Sequence, residues 1–263
     1  MADNFETEKT FSRRGFLKMS GVATGSLVAG TYLGSLLDLG TETEENTDTE
    51  TASEESNQNS GEEAAVQEDY TRAYKFFTKA DDFKTIEAAT ERIFPEDDLG
   101  PGAIALGVGW FIDHELAGGY GVNAREYMKG PFKEGTDFQG PQYPLLRRDL
   151  YMEAIRVMNE EAQENHEKLF HNLEPEQQDE ILTMLESDEL ELRGAKASDF
   201  FEELRLATLS GAYADPLYRG NKGMQGWEMK KFPGAHMSYI NEVEQEGPVE
   251  LETMPLSSHS DSH

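Results

Sequence analysis

The segment from Thr78 to Pro95, TKADDFKTIEAATERIFP, decides the fold class of this chain. Its large apolar residues recur at helical spacing, and a proline then ends the pattern: Phe83, Ile86, Ile93 and finally Pro95. Thr78, with Asp81 three residues later, resembles a capping box, so we expect the helix to begin there. The segment therefore predicts an amphipathic helix with one buried face.

Similar helical patterns fill the rest of residues 70–240. They predict a helix from Pro101 to Leu116 ended by Gly118-Gly119, a long helix from about Pro144 to Leu173, a short helix with Pro175 in its first turn, and a helix capped by Ser198 that runs to Ala214. No segment alternates like a β-strand. We therefore expect an all-α fold, with one irregular helical domain over residues 70–240.

The N-terminal region has a different character. Residues 12–18, SRRGFLK, precede an uncharged stretch from Met19 to Leu37, which as a helix would span roughly 28 Å and could just cross a bilayer. This arrangement resembles a twin-arginine export signal, formed by Ser12, Arg13, Arg14, Phe16, Leu17 and Lys18. No Ala-x-Ala site follows it. Residues 1–40 are thus expected to be a signal or a membrane anchor, and processing further along the chain stays open.

Residues 41–69 are rich in Glu, Thr, Ser and Asn, and they include no basic and no aromatic residue. Such a segment buries too little apolar surface to offset the entropy of ordering. We expect a disordered acidic linker that holds the helical domain clear of the membrane. The composition of residues 241–263 predicts a loose tail.

The composition excludes several kinds of cofactor and partner. None of the 263 residues is cysteine, so disulfides, thiolate zinc sites, iron–sulfur clusters and haem attached through C-x-x-C-H are ruled out. The formal net charge is −29, from 52 acidic and 23 basic residues, which disfavours nucleic acid as a partner. The acidity suits a salty habitat and a partner-specific purpose equally well.

Motifs for catalysis and metal binding are weak. Gly107-Val108-Gly109 lacks the third glycine of a dinucleotide fingerprint, and no G-x-S-x-G elbow is present. His166 and His171 lie among glutamates, but neither follows a glutamate by three residues, as a di-iron bundle site requires. We expect both on a solvated helix face, and we predict no catalytic, cofactor-binding or metal site on this chain.

The densest group of polar and aromatic residues lies between Asp215 and Tyr239. Its glycines and large rings predict an irregular loop pinned by aromatic side chains. Five residues are candidates for binding a protein partner: Asp215, Tyr218, Asn221, Trp227 and Phe232. The same residues could instead fasten the loop to the helices, and the two roles are compatible.

Short motifs spread over residues 76–235 carry a resemblance to a known family. They are Ile93-Phe94-Pro95, Pro101-Gly102-Ala103, Phe111-Ile112-Asp113, Phe200-Phe201 before Leu204-Arg205, Ala214 to Tyr218, Gly226-Trp227 and Phe232-Pro233-Gly234. Together they resemble subunit 3, the small or gamma subunit, of gluconate 2-dehydrogenase. Two positions depart from the pattern: Arg219 replaces a second glycine, and Lys230-Lys231 replace small apolar residues.

The resemblance implies a complex with an FAD-dependent (GMC-type) dehydrogenase catalytic subunit and, in many cases, a subunit that carries haem c. In such complexes the small subunit supplies the twin-arginine signal, engages the twin-arginine translocase and helps the catalytic subunit to mature. The chain itself would then be non-catalytic and lie on the outer face of the cytoplasmic membrane, facing the periplasm or the exterior. A stand-alone, membrane-tethered binding or scaffold protein, and a self-contained enzyme, remain alternatives.

Overall fold

The computed structural model describes residues 73–259 except 134, 137 and 248. The expected export signal and acidic linker lie outside the described residues. Within the described part six α-helices occur and no β-strand, which confirms the all-α prediction. The helices are α1 (Ala80–Ile93), α2 (Val108–Ala117), α3 (Arg147–His166), α4 (Pro175–Glu186), α5 (Ala197–Tyr213) and α6 (Gln225–Lys230), with 3-10 turns at Phe170–Asn172, Pro216–Tyr218, Lys222–Met224 and Leu256–His259.

Helix α1 lies at the centre of the domain and contacts α2, α3, α4 and α5. The side chains predicted to form its apolar face, Phe83, Ile86 and Ile93, are all buried. Helices α4 and α5 pack against each other on one side of it, and α5 also contacts α2 and α3. One continuous hydrophobic core therefore joins the five longer helices.

Several helix ends differ from the sequence-based expectation. Lys79, not Thr78, occupies the N-cap of α1 and makes no side-chain cap bond. Likewise Lys196 precedes α5, while the backbone N–H and hydroxyl of Ser198 donate to the Asp188 carboxylate at 2.8 Å each. In this case a distant acceptor holds the serine inside the first turn, so it does not cap the helix. The prediction of Pro175 at the start of α4 is confirmed.

Helices α2 and α3 are shorter than predicted. Turns occupy residues 103–107, and α2 begins only after Gly107, whose φ of 75° is left-handed. Helix α3 ends at His166 because Glu167 takes a left-handed φ of 56°. A 3-10 turn at Phe170–Asn172 then replaces the last part of the predicted helix. These breaks are conformational, and no proline marks them in the sequence.

The chain enters the helical domain at a buried carboxylate. Asp113, on α2, has no exposed surface and accepts the backbone N–H groups of Lys75, Phe76 and Phe77 at 2.7, 3.0 and 2.9 Å. Just before this contact, the Tyr74 ring stacks on Trp110 with centroids 5.2 Å apart. The first described residues are thus fixed against α2.

Part of the C-terminal segment pairs with the residues that follow α6. Gly234 and Met254 form a parallel bridge, the Ala235 N–H donates to the Met254 carbonyl at 2.7 Å, and the Met254 N–H donates to the Pro233 carbonyl at 3.0 Å. Composition missed this pairing because its donors and acceptors belong to the backbone. In the described part of the chain, no helix has the length and apolar character needed to cross a bilayer.

Candidate partner-binding site

The segment that follows α5 is held in place by its own buried polar side chains. Asn221 has no exposed surface; its amide N–H donates to the Ala214 carbonyl at 2.8 Å, and its carbonyl accepts the Gly226 N–H at 2.7 Å. The indole N–H of Trp227 donates to the Tyr213 carbonyl at 2.8 Å. These bonds satisfy backbone groups at the end of α5, so Asn221 and Trp227 fasten the segment to the helix.

Asp215 connects this segment to the C-terminal region. One carboxylate oxygen accepts the Leu217 N–H at 2.9 Å and caps the 3-10 turn, while the other accepts the Leu256 N–H at 2.8 Å. Asp215 is about nine-tenths buried. Its carboxylate therefore joins two parts of the chain that lie 41 residues apart.

Tyr218 and Phe232 face solvent, unlike the three residues above. Tyr218 is 50% exposed and Phe232 is 46% exposed, although the Phe232 ring contacts Trp227 edge-on at 5.2 Å. Leu217, which the sequence analysis did not single out, is 56% exposed beside Tyr218. The five candidates thus divide into a buried set that fixes the backbone and an exposed pair that is available for contact.

Close backbone packing explains the glycines of this segment. A Cβ on Gly220 would lie 2.1 Å from the Gly211 carbonyl oxygen, and one on Gly226 would lie 2.0 Å from the Ala212 carbonyl oxygen. Both distances are far below van der Waals contact. Only glycine lets the segment approach α5 this closely, and the exposed ring of Tyr218 is consequently presented from a rigid base.

A cleft of 480 Å³ lies beside the segment after α5, where it is lined by Pro216 and Arg219, the chain neighbours of Leu217 and Tyr218. Its walls come from α1, the 103–107 turns, Trp110 and the segment after α5, and they include the side chains of Glu87, Arg219 and Lys222. Arg219 and Lys222 are exposed. Apolar and cationic groups therefore lie side by side at this end of the domain, a composition that suits contact with a protein surface.

A second cavity, of 310 Å³, lies between α2 and α5, and the sequence analysis missed it. Arg147 donates to Glu203 at 2.8 Å, also pairs with Glu126, and lies 4.4 Å from the centre of the Tyr120 ring. The Tyr120 hydroxyl donates to Glu203. Motif spacing could not reveal this group, because its members lie on three separate segments.

Three tyrosines near the Arg147–Glu203 pair stay protonated at neutral pH. Burial, followed by the nearby Glu203 charge, raises the pKa of Tyr120 well above its ordinary value and that of Tyr143 to about 12. Burial also raises the pKa of Tyr151, whose enclosed hydroxyl has no hydrogen-bond partner in the described part of the chain. Neutral phenols and a doubly paired arginine favour a structural latch over an acid–base site.

The histidines are dispersed. His166 ends α3, where its Nδ1 lies 3.1 Å from the Gln177 amide, while His171 lies in the 3-10 turn and not on the predicted helix face. His114 is half-buried, and burial lowers its pKa. Among the described residues no three His, Asp or Glu side chains converge as metal ligands.

The comparison with protein families decides what this chain is. The family model described as gluconate 2-dehydrogenase subunit 3 matches residues 80–234. The chain belongs to the gluconate 2-dehydrogenase subunit 3 family. That span covers α1 to α6 and includes all five partner-binding candidates. Comparisons with curated proteins and with solved structures gave no match.

Proposed function

We propose that this chain is the non-catalytic small subunit of an exported, FAD-dependent dehydrogenase that oxidises gluconate, another sugar or a polyol. It escorts the flavin-containing catalytic subunit through the twin-arginine translocase and helps it to mature. The complex then lies on the outer face of the cytoplasmic membrane, anchored if residues 1–40 are retained. FAD belongs to the partner, and a third subunit with haem c is compatible with this arrangement.

Membership of the subunit 3 family is the observation that carries the proposal. It accounts for a helical domain without a cofactor motif and for the Arg13-Arg14 pair before an uncharged stretch. Folded cargo explains the choice of export route, because a catalytic subunit must acquire FAD before it crosses the membrane. The substrate of the partner stays open, since this chain contributes no substrate-binding group to the proposal.

The segment after α5 is the surface that we assign to the catalytic subunit. Leu217 and Tyr218 are about half exposed, beside the cationic side chain of Arg219, which lines the same cleft as Lys222. Tyrosine and arginine are enriched among the residues that dominate binding energy. Because Asn221 and Trp227 already fix the backbone beneath them, little conformational entropy is lost on binding.

Export of the partner tests the escort role. Arg13→Lys with Arg14→Lys should retain both this chain and the dehydrogenase in the cytosol, as measured by fractionation and dye-linked activity on each side of the membrane. Lys9→Arg is the control, because it exchanges Lys and Arg in the same polar segment, keeps the charge and leaves residues 12–18 intact. Normal export of the dehydrogenase beside the double-lysine variant would contradict the escort role.

Docking is tested separately by removing exposed apolar groups. Leu217→Ser with Tyr218→Ser should weaken recovery of the flavoprotein at least about tenfold and leave the unfolding temperature unchanged, since both side chains lie at the surface. Tyr127→Ser with Phe138→Ser is the control pair, at 81% and 85% exposure in the α2–α3 connection. If the wild type, the Leu217, Tyr218 variant and the control variant recover equal amounts of flavoprotein, the catalytic subunit binds elsewhere.

A further inference from the structure

The connection between Ala235 and the C-terminal 3-10 turn projects an apolar surface that the family match does not reach. Met237, Ile240 and Val243 are 80%, 75% and 77% exposed, and Tyr239 beside them is 45% exposed. We name residues 237–246 the hook. The matched region ends at residue 234, so the hook is additional to the part of the chain that defines the family.

The hook has a defined backbone, although its side chains face solvent. The Val243 N–H and the Glu242 N–H both donate to the Tyr239 carbonyl at 3.1 Å, which closes a single helical turn. The Ile240 N–H donates to the Ser238 hydroxyl at 3.2 Å. Ile240 and Val243, three residues apart, lie along one side of this turn, and Met237 comes shortly before it in the chain.

Backbone and ring contacts fasten the base of the hook to the domain. His236 lies 3.0 Å from the Glu252 carbonyl, and its ring contacts Tyr239 with centroids 5.6 Å apart. The Ala235–Met254 pairing and the Asp215–Leu256 bond complete the attachment. The same Asp215 carboxylate caps the turn that bears Leu217, so the hook and the proposed docking segment share one anchor.

Charge indicates what the hook binds. Glu242, Glu244 and Glu246 accompany the three apolar side chains, and residues 237–247 contain no Lys or Arg. Anionic lipid head groups would repel these carboxylates, which disfavours the membrane surface as an occupant. A second copy of the chain carries the same net charge of −29 and is disfavoured for the same reason. A hydrophobic groove with a basic rim fits both features.

We propose that the hook inserts Met237, Ile240 and Val243 into an apolar groove, rimmed by Lys or Arg, on the flavin-containing catalytic subunit. This inference rests on the proposed function, because that function supplies the partner. The catalytic subunit would then contact the chain at two places, the segment after α5 and the hook. The hook contact depends on both the shape and the charge of the groove. Three exposed apolar side chains then become buried on assembly.

Removal of the apolar side chains tests the inference. The full chain with Met237→Ser, Ile240→Ser and Val243→Ser is purified from host membranes, and the flavin absorbance per tagged chain is measured together with the unfolding temperature. We expect about a hundredfold weaker retention of the flavoprotein at an unchanged unfolding temperature. The Tyr127→Ser, Phe138→Ser control should retain it fully.

The charges are tested with a second matched pair of variants. Glu242→Lys, Glu244→Lys and Glu246→Lys should slow assembly about tenfold at low salt, an effect that fades at high salt. Glu176→Lys, Glu180→Lys and Glu186→Lys on α4 make the same change in charge on exposed positions away from the hook and should have no effect. If both triple variants slow assembly equally, the proposal that the groove has a basic rim is wrong.

A photo-reactive residue in place of Ile240 identifies the occupant. A cross-link to the flavoprotein, at a peptide that contains Lys or Arg, supports the groove; cross-links to a second copy of this chain or to lipid overturn it. If the triple serine variant retains as much flavoprotein as the wild type, the hook does not bind the catalytic subunit, while the proposed function stands. If even the wild-type chain recovers no flavoprotein, the proposed function fails and this inference fails with it.

Discussion

Asp113 illustrates how a single buried side chain can fix the start of a domain. Its carboxylate accepts three consecutive backbone N–H groups, from residues 75–77, within 3.0 Å. The Nδ1 atom of His114 lies 3.6 Å from the carboxylate, but burial lowers the pKa of this histidine and so favours its neutral form. The three hydrogen bonds stabilise the negative charge of the carboxylate, and it can therefore be buried without a full ion pair.

Replacing Asp113 with asparagine should therefore destabilise the domain. Asn offers one acceptor oxygen and turns an N–H group towards backbone donors, so we expect a loss of about 3 kcal/mol in the free energy of unfolding. Urea unfolding measures it. Glu115→Gln on the same helix is the control and should change stability little; an Asp113→Asn variant as stable as this control would contradict the anchor role.

Arg219 is one of the two positions at which the chain departs from the pattern of the resemblance, and its backbone conformation is one that suits glycine. Its φ is 77° and its ψ is −9°, a left-handed conformation that costs a residue with a Cβ about 1 kcal/mol. We expect Arg219→Gly to raise the unfolding temperature by about 2–4 °C, whereas Arg219→Ala, which keeps the strain, should not. A glycine variant less stable than the alanine variant would contradict this account.

At the scale of elements, Glu153 ties α3 to the connection before α5. Its carboxylate accepts from the Arg193 backbone N–H and Nε at 3.0 Å each, and from two nitrogens of Arg156 at 2.6 and 3.0 Å. The hydrogen bonds from Arg156, and then those from Arg193, lower the pKa of Glu153 to about 2. The ordinary value is 4.5, so the folded state favours the ionised carboxylate.

This shift predicts the pH dependence of the contact. The stabilisation is complete above pH 4.5 and is lost as the pH falls towards 2, because the unfolded chain takes up the proton first. Glu153→Gln should cost roughly 1 kcal/mol at pH 7, allowing for solvent screening. The difference in the free energy of unfolding between this variant and the wild type should shrink below pH 4.5. Glu164→Gln on the exposed face of α3 is the control, and a difference independent of pH would contradict the assignment.

The elements also show how far the sequence could predict the structure. Apolar spacing located the core face of α1 because burial imposes a helical period, and Phe83, Ile86 and Ile93 are buried as expected. The predicted helix ends were less accurate. Helix α2 begins after Gly107 and α3 ends before Glu167, and in both cases the left-handed backbone conformation of that residue sets the boundary. The anchor at Asp113 was missed because its partners lie 36–38 residues away.

The candidate site was predictable only in part, for the same reason. Composition singled out Trp227 and Asn221, but only their hydrogen bonds to Tyr213 and Ala214 distinguish a structural role from an exposed one. The hook carried no recognisable motif. Its base is held by the pairing of Gly234 with Met254, which no local pattern encodes.

At the scale of the whole molecule, the proposed contacts gather at one connected region. The segment after α5, the 480 Å³ cleft and the base of the hook are linked through Asp215, Gly234 and Met254. Tyr74, one of the first described residues, stacks on Trp110, and Trp110 also lines the cleft. A partner bound there would meet residues from both ends of the described chain.

The net charge of −29 shapes how such a complex would form. Long-range repulsion keeps copies of this chain apart, while a partner with a basic surface is attracted and its association is accelerated at low salt. We therefore propose that the chain works as one subunit of a hetero-complex and that its partner carries out the chemistry.

Affinity purification of the tagged full chain from membranes of its native host tests this claim most directly. Mass spectrometry identifies the co-purifying chains, and the absorbance spectrum of the eluate reports flavin. We predict a flavoprotein in a fixed ratio to this chain, with dye-linked oxidation of a sugar, gluconate or polyol. A colourless eluate that contains this chain alone would contradict the account.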